Sequence, residues 1–207
     1  MPLVFQRKFP NQVTVGVWHI EEKENFFWLN GQIVRNIPHP HKRLQHLAGR
    51  FLLQQLNKDL QLGDILIDEN NKPYFENDHC HFSISHCGDY AAVVVSEQVP
   101  AGIDVEVISP LALKLSSKFM NRTEMDFLTQ YVKEDRKIAT AIWSIKEAVF
   151  KWYGKGKVDF KKDIVVGQSP LTIVDNTIPV SFYKEGGENL DLHIHWLDDY
   201  VLVWVCK

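Results

Sequence analysis

Apolar residues change their rhythm several times along this chain, and each change marks an element. Val13–Ile20 (VTVGVWHI) is β-branched and bounded by Asn11 and the charged run Glu21–Asn25, which predicts a strand. From about residue 41 to 57 the spacing becomes helical, with Leu44, Leu47, Ala48, Phe51 and Leu52 on one stripe and Arg43, His46 and Arg50 on another. Gly63 to Asn77 is rich in turn formers, and Lys72-Pro73 reads as an extended dipeptide. His81–Ser85 and Tyr90–Ser96 predict two strands joined by the turn His86-Cys87-Gly88-Asp89, and Gly102–Val107 (GIDVEV) predicts a third. Residues 109–137 read as helical pieces, with Asn121 and Thr123 as candidate N-caps. A long helix follows over about 137–153, ended by Gly154 and Gly156. Its buried stripe is Ile138, Ile142, Ile145, Val149 and Trp152, and a second stripe carries Thr140, Ser144, Glu147 and Lys151. Val158 to Cys206 reads as strands and turns, with a hairpin at Gly186-Gly187 and a last strand over Tyr200–Cys206.

One segment is echoed. Asp89–Val95 (DYAAVVV) resembles Asp199–Val205 (DYVLVWV), and each follows an alternating strand that contains histidine. A helix precedes each copy. The pattern predicts two similar α+β halves joined somewhere near residues 100–110.

Composition narrows the setting. The chain has 207 residues, of which 45% are hydrophobic, enough for a core without disulfide or metal staples and too many for a disordered chain. Lys and Arg number 23 against 26 Asp and Glu, a net charge of −3 that gives no global pull toward nucleic acid or an anionic membrane. The cysteines, Cys80, Cys87 and Cys206, are odd in number and form no CxxC pair, which favours a reducing compartment, the cytoplasm. Met1–Pro10 carries no apolar run with a cleavage signal, and the longest apolar stretches, such as Ala91–Val95 and Val201–Cys206, are too short to span a bilayer.

Three groups could carry chemistry. Asp104 and Glu106 lie two apart on a predicted strand, so both point to one face. They repel unless a cation lies between them, and Mg²⁺ suits such oxygen ligands. The plainer reading is the solvent face of a half-buried strand. Glu147 and Lys151 are spaced i, i+4 in the favourable order, either as a surface ion pair of about 0.3–0.5 kcal/mol or, on a helix crowded with Trp143, Phe150, Trp152 and Tyr153, as working charges. Ser85-His86 could be a nucleophile with its base, a phosphate contact or a capped turn. Neighbours on a strand face opposite ways, which disfavours the first. The H-x-H pairs His39/His41, His79/His81 and His193/His195 lack the paired cysteines of a zinc site and read as surface or strand histidines.

Taken together, Gly102-Ile103-Asp104-Val105-Glu106 followed by Trp143-Ser144-Ile145-Lys146-Glu147-Ala148-Val149-Phe150-Lys151 resembles the signature of the 4′-phosphopantetheinyl transferase superfamily. Lys72-Pro73, Phe82-x-x-Ser85-His86 and Phe119 to Glu124 resemble its intervening blocks, so the likeness runs from about Lys72 to Gly156. It implies transfer of the phosphopantetheine arm of coenzyme A to a serine hydroxyl of an apo acyl or peptidyl carrier protein, with release of 3′,5′-ADP. It implies Mg²⁺, with Mn²⁺ as an alternative, on Asp104, Glu106 and Glu147. Lys151 matches the lysine on the pyrophosphate, and Glu147 is the candidate general base. Ser85 and His86 match contacts to the CoA phosphates, Lys72 a lysine at the edge of the CoA site, and Arg43 and Arg50, or Lys42 or His46 in their place, contacts from the N-terminal helix.

Length points to the surfactin-synthetase-activating type. That type implies a monomer of two α+β halves in pseudo-twofold arrangement, each an antiparallel sheet packed on a long helix. The halves would span residues 1–105 and 106–207, with the active site in the cleft between them. Leu111, Leu113, Leu115, Phe119 and Met120, rimmed by Lys114, Lys118 and Arg122, could meet an acidic carrier or pack on the core. The alternatives are a Mg²⁺-dependent phosphohydrolase of CoA-like substrates and a non-catalytic module that binds CoA or a carrier protein.

Overall fold

The computed structural model describes residues 2–28, 37–76, 80–172 and 176–207. Its two large antiparallel sheets each have one face on a helix and the other on the partner sheet, which is the expected α+β architecture of two sheet-plus-helix halves.

The first sheet has the order β1-β2-β6-β5, formed by Leu3–Phe9, Val13–His19, Tyr90–Ser96 and His81–Cys87 in that order. The short helix α1 (Glu24–Trp28) and the long helix α2 (Pro40–Leu56) lie against it, and β3 (Ile65–Ile67) and β4 (Pro73–Phe75) form a small ribbon beside it. α2 begins at a proline, whose missing N–H costs nothing at a helix start, and the imidazole of the preceding His39 accepts the Lys42 N–H. Its apolar stripe, Leu47, Ala48, Phe51 and Leu52, packs on Phe82, Ala91, Val93 and Val95.

The second sheet has the order β7-β11-β10-β9-β8. In chain order these strands are β7 (Ala101–Val107), β8 (Ile164–Val166), β9 (Thr177–Phe182), β10 (Glu188–Leu197) and β11 (Tyr200–Cys206). Three helices precede β8: α3 (Pro110–Phe119), α4 (Arg122–Gln130) and α5 (Asp135–Tyr153). Asn121, one of the two expected caps, caps α4 in a reciprocal box with Glu124, and α5 ends at Gly154 in the left-handed conformation that glycine adopts freely. The stripe Ile138, Ile142, Ile145 and Val149 is fully buried against this sheet. Between the sheets, Val13, Val15, Val17, Ala92 and Val94 meet Ile103, Val105, Leu202 and Trp204.

The repeat foreseen from the echo is present in the topology. β2, α2, β5 and β6 correspond to β7, α5, β10 and β11, in the strand orders β2-β6-β5 and β7-β11-β10. The registers agree: His19 pairs with Tyr90 as Val107 pairs with Tyr200. The Ile20 N–H donates to the Asp89 carbonyl at 2.7 Å, and the Ile108 N–H to that of Asp199 at 2.8 Å. The division placed at 105/106 falls inside β7, all seven residues of which pair in the second sheet. The pattern of residues did not signal β1 or α1. β1 alternates weakly, with Gln6, Arg7 and Lys8 in its middle, and takes its strand form from pairing with β2.

Two features fix α5. Gly102 has no side chain because none fits: a Cβ there would strike the Ala148 carbonyl oxygen and lie 2.6 Å from the Trp152 nitrogen. The helix therefore rides directly on the β7 backbone. Lys146, fully buried, donates to Glu124 at 2.8 Å and to the carbonyls of Phe160 and Ile164 at 2.6 and 2.8 Å. Glu124 in turn accepts the Val166 and Asn121 N–H groups. With every partner satisfied, this pair ties α4, α5 and the approach to β8 together.

Gly102→Ala is expected to lift α5 from β7 and destabilise the protein by about 1–3 kcal/mol in urea unfolding. An unchanged midpoint would show that the close approach is not needed. Lys146→Met leaves Glu124 charged and unpaired in the core, and a loss of about 3–5 kcal/mol is expected by the same measurement.

Candidate active site

The site forms where β5 of the first sheet meets β7 of the second. β7 is an edge strand, so the N–H groups of Ile103, Val105 and Val107 have no strand to pair with. Alternate side chains of β5 take them instead: Ser83 Oγ accepts from Ile103 at 3.2 Å, Ser85 Oγ from Val105 at 3.3 Å and Cys87 Sγ from Val107 at 3.5 Å. Phe82 and Ile84, on the opposite face of β5, pack toward α2.

Two of these side chains also hold the acids of β7. The Ser85 hydroxyl donates to Asp104 Oδ1 at 2.8 Å, and the Cys87 thiol donates to Glu106 Oε2 at 3.1 Å. Lys151 on α5 donates to Asp104 Oδ1 at 2.6 Å and to Ser85 Oγ at 2.8 Å. The Trp143 indole donates to Glu106 Oε1 at 3.2 Å. Ser85 thus has its hydroxyl proton on Asp104 and its lone pairs on Lys151 and Val105, which removes it as a nucleophile for His86.

The stripe Thr140–Ser144–Glu147–Lys151 is the face of α5 turned to this cluster. Burial, the nearby Asp104 and, more weakly, Glu106 push the Glu147 carboxyl up to about 7, against the pull of Lys151. Burial and Asp104 also raise Glu106. Asp104 is 3% exposed and its Oδ2 has no partner; Thr140 Oγ1 and Ser144 Oγ are likewise buried and unpartnered. Asp104 raises both Glu106 and Glu147 and keeps one buried oxygen without a donor, and carboxylate oxygens of this kind are what a hard divalent cation such as Mg²⁺ takes. No three His, Cys, Asp or Glu side chains among the described residues form a ready-made cage, and Lys151 supplies the counter-charge.

Lys151 also lines a cavity of about 230 Å³, whose wall includes Lys72, Ser83, Phe82, Phe150 and Gly154. Lys72 comes from the first half and also donates to the Trp152 carbonyl at the end of α5, at 3.0 Å. A second, mainly apolar cavity of about 210 Å³ touches Glu106 on its other side, lined by Leu111, Ala112, Leu115, Phe119 and Trp143. His86 is exposed, and desolvation of its ring followed by Lys151 and Lys42 holds it below the ordinary imidazole value.

The structure therefore gathers Lys72, Ser85, His86, Asp104, Glu106, Glu147 and Lys151. Arg43 and Arg50 have their hydrogen-bond partners elsewhere in the first half. Arg43 grips Glu24 through Nε and Nη2, at 2.6 and 2.9 Å, and Arg50 is buried against His46 and the Leu62 carbonyl. Lys42, one residue along, is the exposed cation of α2 that His86 feels. Phe119 and Met120 are buried core residues, whereas Leu111, Lys114, Lys118 and Arg122 are exposed. His193 and His195 stack among Phe5, Phe9 and Trp204, and His79 lies outside the described residues. Trp143 and Cys87 hold Glu106, a task the linear reading did not assign; the Ser83-x-Ser85-x-Cys87 alternation was its visible trace.

The family model of the 4′-phosphopantetheinyl transferase superfamily matches residues 100–203, half of the chain, and the chain belongs to that superfamily. It is 38% identical over 77 residues to 4′-phosphopantetheinyl transferase psf-1 of Bacillus pumilus, 37% of this chain and 33% of that protein. It is 32% identical over 114 residues to the transferase gsp of Aneurinibacillus migulanus, 53% and 46% of the two chains, and 31% identical over 123 residues to AcpT of Escherichia coli K12, 56% and 61%. The matched segments span about a third to three fifths of these relatives. No helix among the described residues is long and apolar enough to cross a membrane.

Glu147 has a folded-state value of about 7 against an ordinary 4.5. The stability it contributes is fully present below about pH 4.5 and is lost as pH rises through about 7. In metal-free protein, Glu147→Gln should therefore melt higher than wild type by a margin that is larger at pH 8 than at pH 5. Thermal unfolding in EDTA reads this directly, and a margin that does not grow with pH would refute the burial of a working charge at this position.

Proposed function

We propose that the protein transfers the 4′-phosphopantetheine group of coenzyme A to a serine hydroxyl of an apo acyl or peptidyl carrier protein, releasing 3′,5′-ADP, and that it acts as a monomer of the surfactin-synthetase-activating type. The observation that carries this reading is the cavity with Lys72 and Lys151 in its wall, where Lys151 is at the same time bonded to Asp104 of the acid cluster. A lysine shared between a cavity and a set of acids suits a pyrophosphate and a divalent cation together.

The roles follow from position. Lys151, at hydrogen-bond distance from Asp104, is a half-exposed ammonium that can turn to a phosphoryl oxygen once Asp104 has another cation. Asp104, Glu106 and Glu147 would hold Mg²⁺, which when bound offsets charge that builds on the phosphoryl oxygens. Lys72 and Ser83 line the phosphate cavity, and Lys42, with the neutral imidazole of His86 beside it, offers a second edge for the remaining phosphate of CoA. The carrier serine oxygen forms the new bond to phosphorus, the bond from that phosphorus to the ADP oxygen breaks, and the serine proton passes to Glu147. The apolar cavity between Leu111 and Trp143 suits the uncharged arm, and exposed Leu111 with Lys114, Lys118 and Arg122 suits an acidic carrier surface.

The test is the intact mass of an apo carrier protein after incubation with the protein, CoA and Mg²⁺. A gain of one phosphopantetheine that EDTA abolishes is expected, as is its loss in Asp104→Ala and Glu147→Ala, both folded by circular dichroism. Cleavage of CoA without a gain would point to a hydrolase. No gain on several carrier types, with CoA bound but intact, would point to a binding module.

A further inference from the structure

Glu106 is the one acid of the site whose two carboxylate oxygens are both held by neutral donors. The Trp143 indole takes Oε1 at 3.2 Å and the Cys87 thiol takes Oε2 at 3.1 Å. Cys87 is itself fixed, because its sulfur accepts the Val107 N–H at 3.5 Å as the last member of the row that Ser83 and Ser85 begin. A thiol locked to the backbone of β7 thus points its proton at a side chain of that same strand. Close by, Asp104 leaves a buried oxygen, Oδ2, without a partner.

We propose that Cys87 is a positioning residue for the metal-binding carboxylate of Glu106, its thiol donating the hydrogen bond that, with Trp143, fixes the rotamer in which Glu106 presents its free lone pairs to a divalent cation. The inference rests on the reading of Asp104, Glu106 and Glu147 as the metal-binding acids. A glutamate has three rotatable bonds, and each oxygen that accepts one hydrogen bond keeps a lone pair for a metal. Partners that orient a ligand in this way set metal affinity by about 10–100-fold. A hydroxyl can do the same work, since Ser85, two residues earlier on the same face, accepts a β7 N–H and donates to Asp104.

The experiment is a Mn²⁺ titration of the full chain, with and without CoA, followed by electron paramagnetic resonance of the free ion. Cys87→Ala and Cys87→Val, which both lack a donor, are expected to weaken Mn²⁺ binding about tenfold. Cys87→Ser should stay close to wild type. CoA affinity measured calorimetrically in EDTA should be the same in all four proteins, which separates a loss at Glu106 from a general loss of the site. Wild-type affinity in either donor-free variant, or a Ser variant as weak as the Ala variant, would overturn the proposal. Wild-type protein that binds no Mn²⁺ under either condition would overturn it together with the metal assignment. Mn²⁺ binding that follows the expected order, without any transfer to a carrier, would leave Cys87 in this role and remove only the transferase reading.

Discussion

The seam between β5 and β7 is the constraint from which the site follows. An edge strand whose outward N–H groups were buried without partners would be costly, and pairing it with a further strand would close the cleft. Ser83, Ser85 and Cys87 solve this with side chains, so the two sheets meet without forming one continuous ladder. The same row has donors to spare, and they go to Asp104 and Glu106. The contact that joins the halves is thus also the contact that orients the acids. A disturbance of the seam would reach both packing and chemistry.

α5 shows how one helix serves two environments. Lys146 and Glu147 are adjacent in sequence, about 100° apart around the helix, and meet opposite fates. Lys146 enters the core, where Glu124 and two carbonyls satisfy all of its donors. Glu147 turns to the acid cluster, where burial and like charge raise it to about 7. Lys151, one turn further on, is the compensating cation. The helix can hold this face against β7 only because Gly102 lets the backbones touch.

The two halves repeat in topology and not in chemistry. Where the second half has Asp104 and Glu106, the same register positions of the first half hold Gly16 and Trp18. β1 covers the edge of β2, so no cleft opens there. One half supplies the acids and the helix; the other supplies Ser85, His86 and Lys72. The proposed site thus draws on both scaffolds, and the family match over residues 100–203 covers the half that carries the acids.

The sequence by itself determined the elements with strong periodicity and the face each presents. The 3.6-residue stripe of α5, the alternation of β7 and the repeated Asp-Tyr hairpin were legible because local geometry alone decides which residues share a side. Asp104 with Glu106, and Glu147 with Lys151, were readable as pairs for that reason. Their meeting could not be read from spacing and was expected only through the family resemblance, because β7 and α5 lie some forty residues apart in the chain. Arg43 and Arg50 show the limit: the stripe placed them on a common face, but Glu24 and the Leu62 carbonyl, distant in sequence, decided what they bind. Phe119 and Met120 went into the core by the same kind of decision. Cys87 and Trp143 acquired their task only from the strand and helix that pack against them. Hydrophobic spacing fixes direction within an element, while the partner of a polar group is chosen by whichever donors and acceptors the tertiary fold leaves beside it.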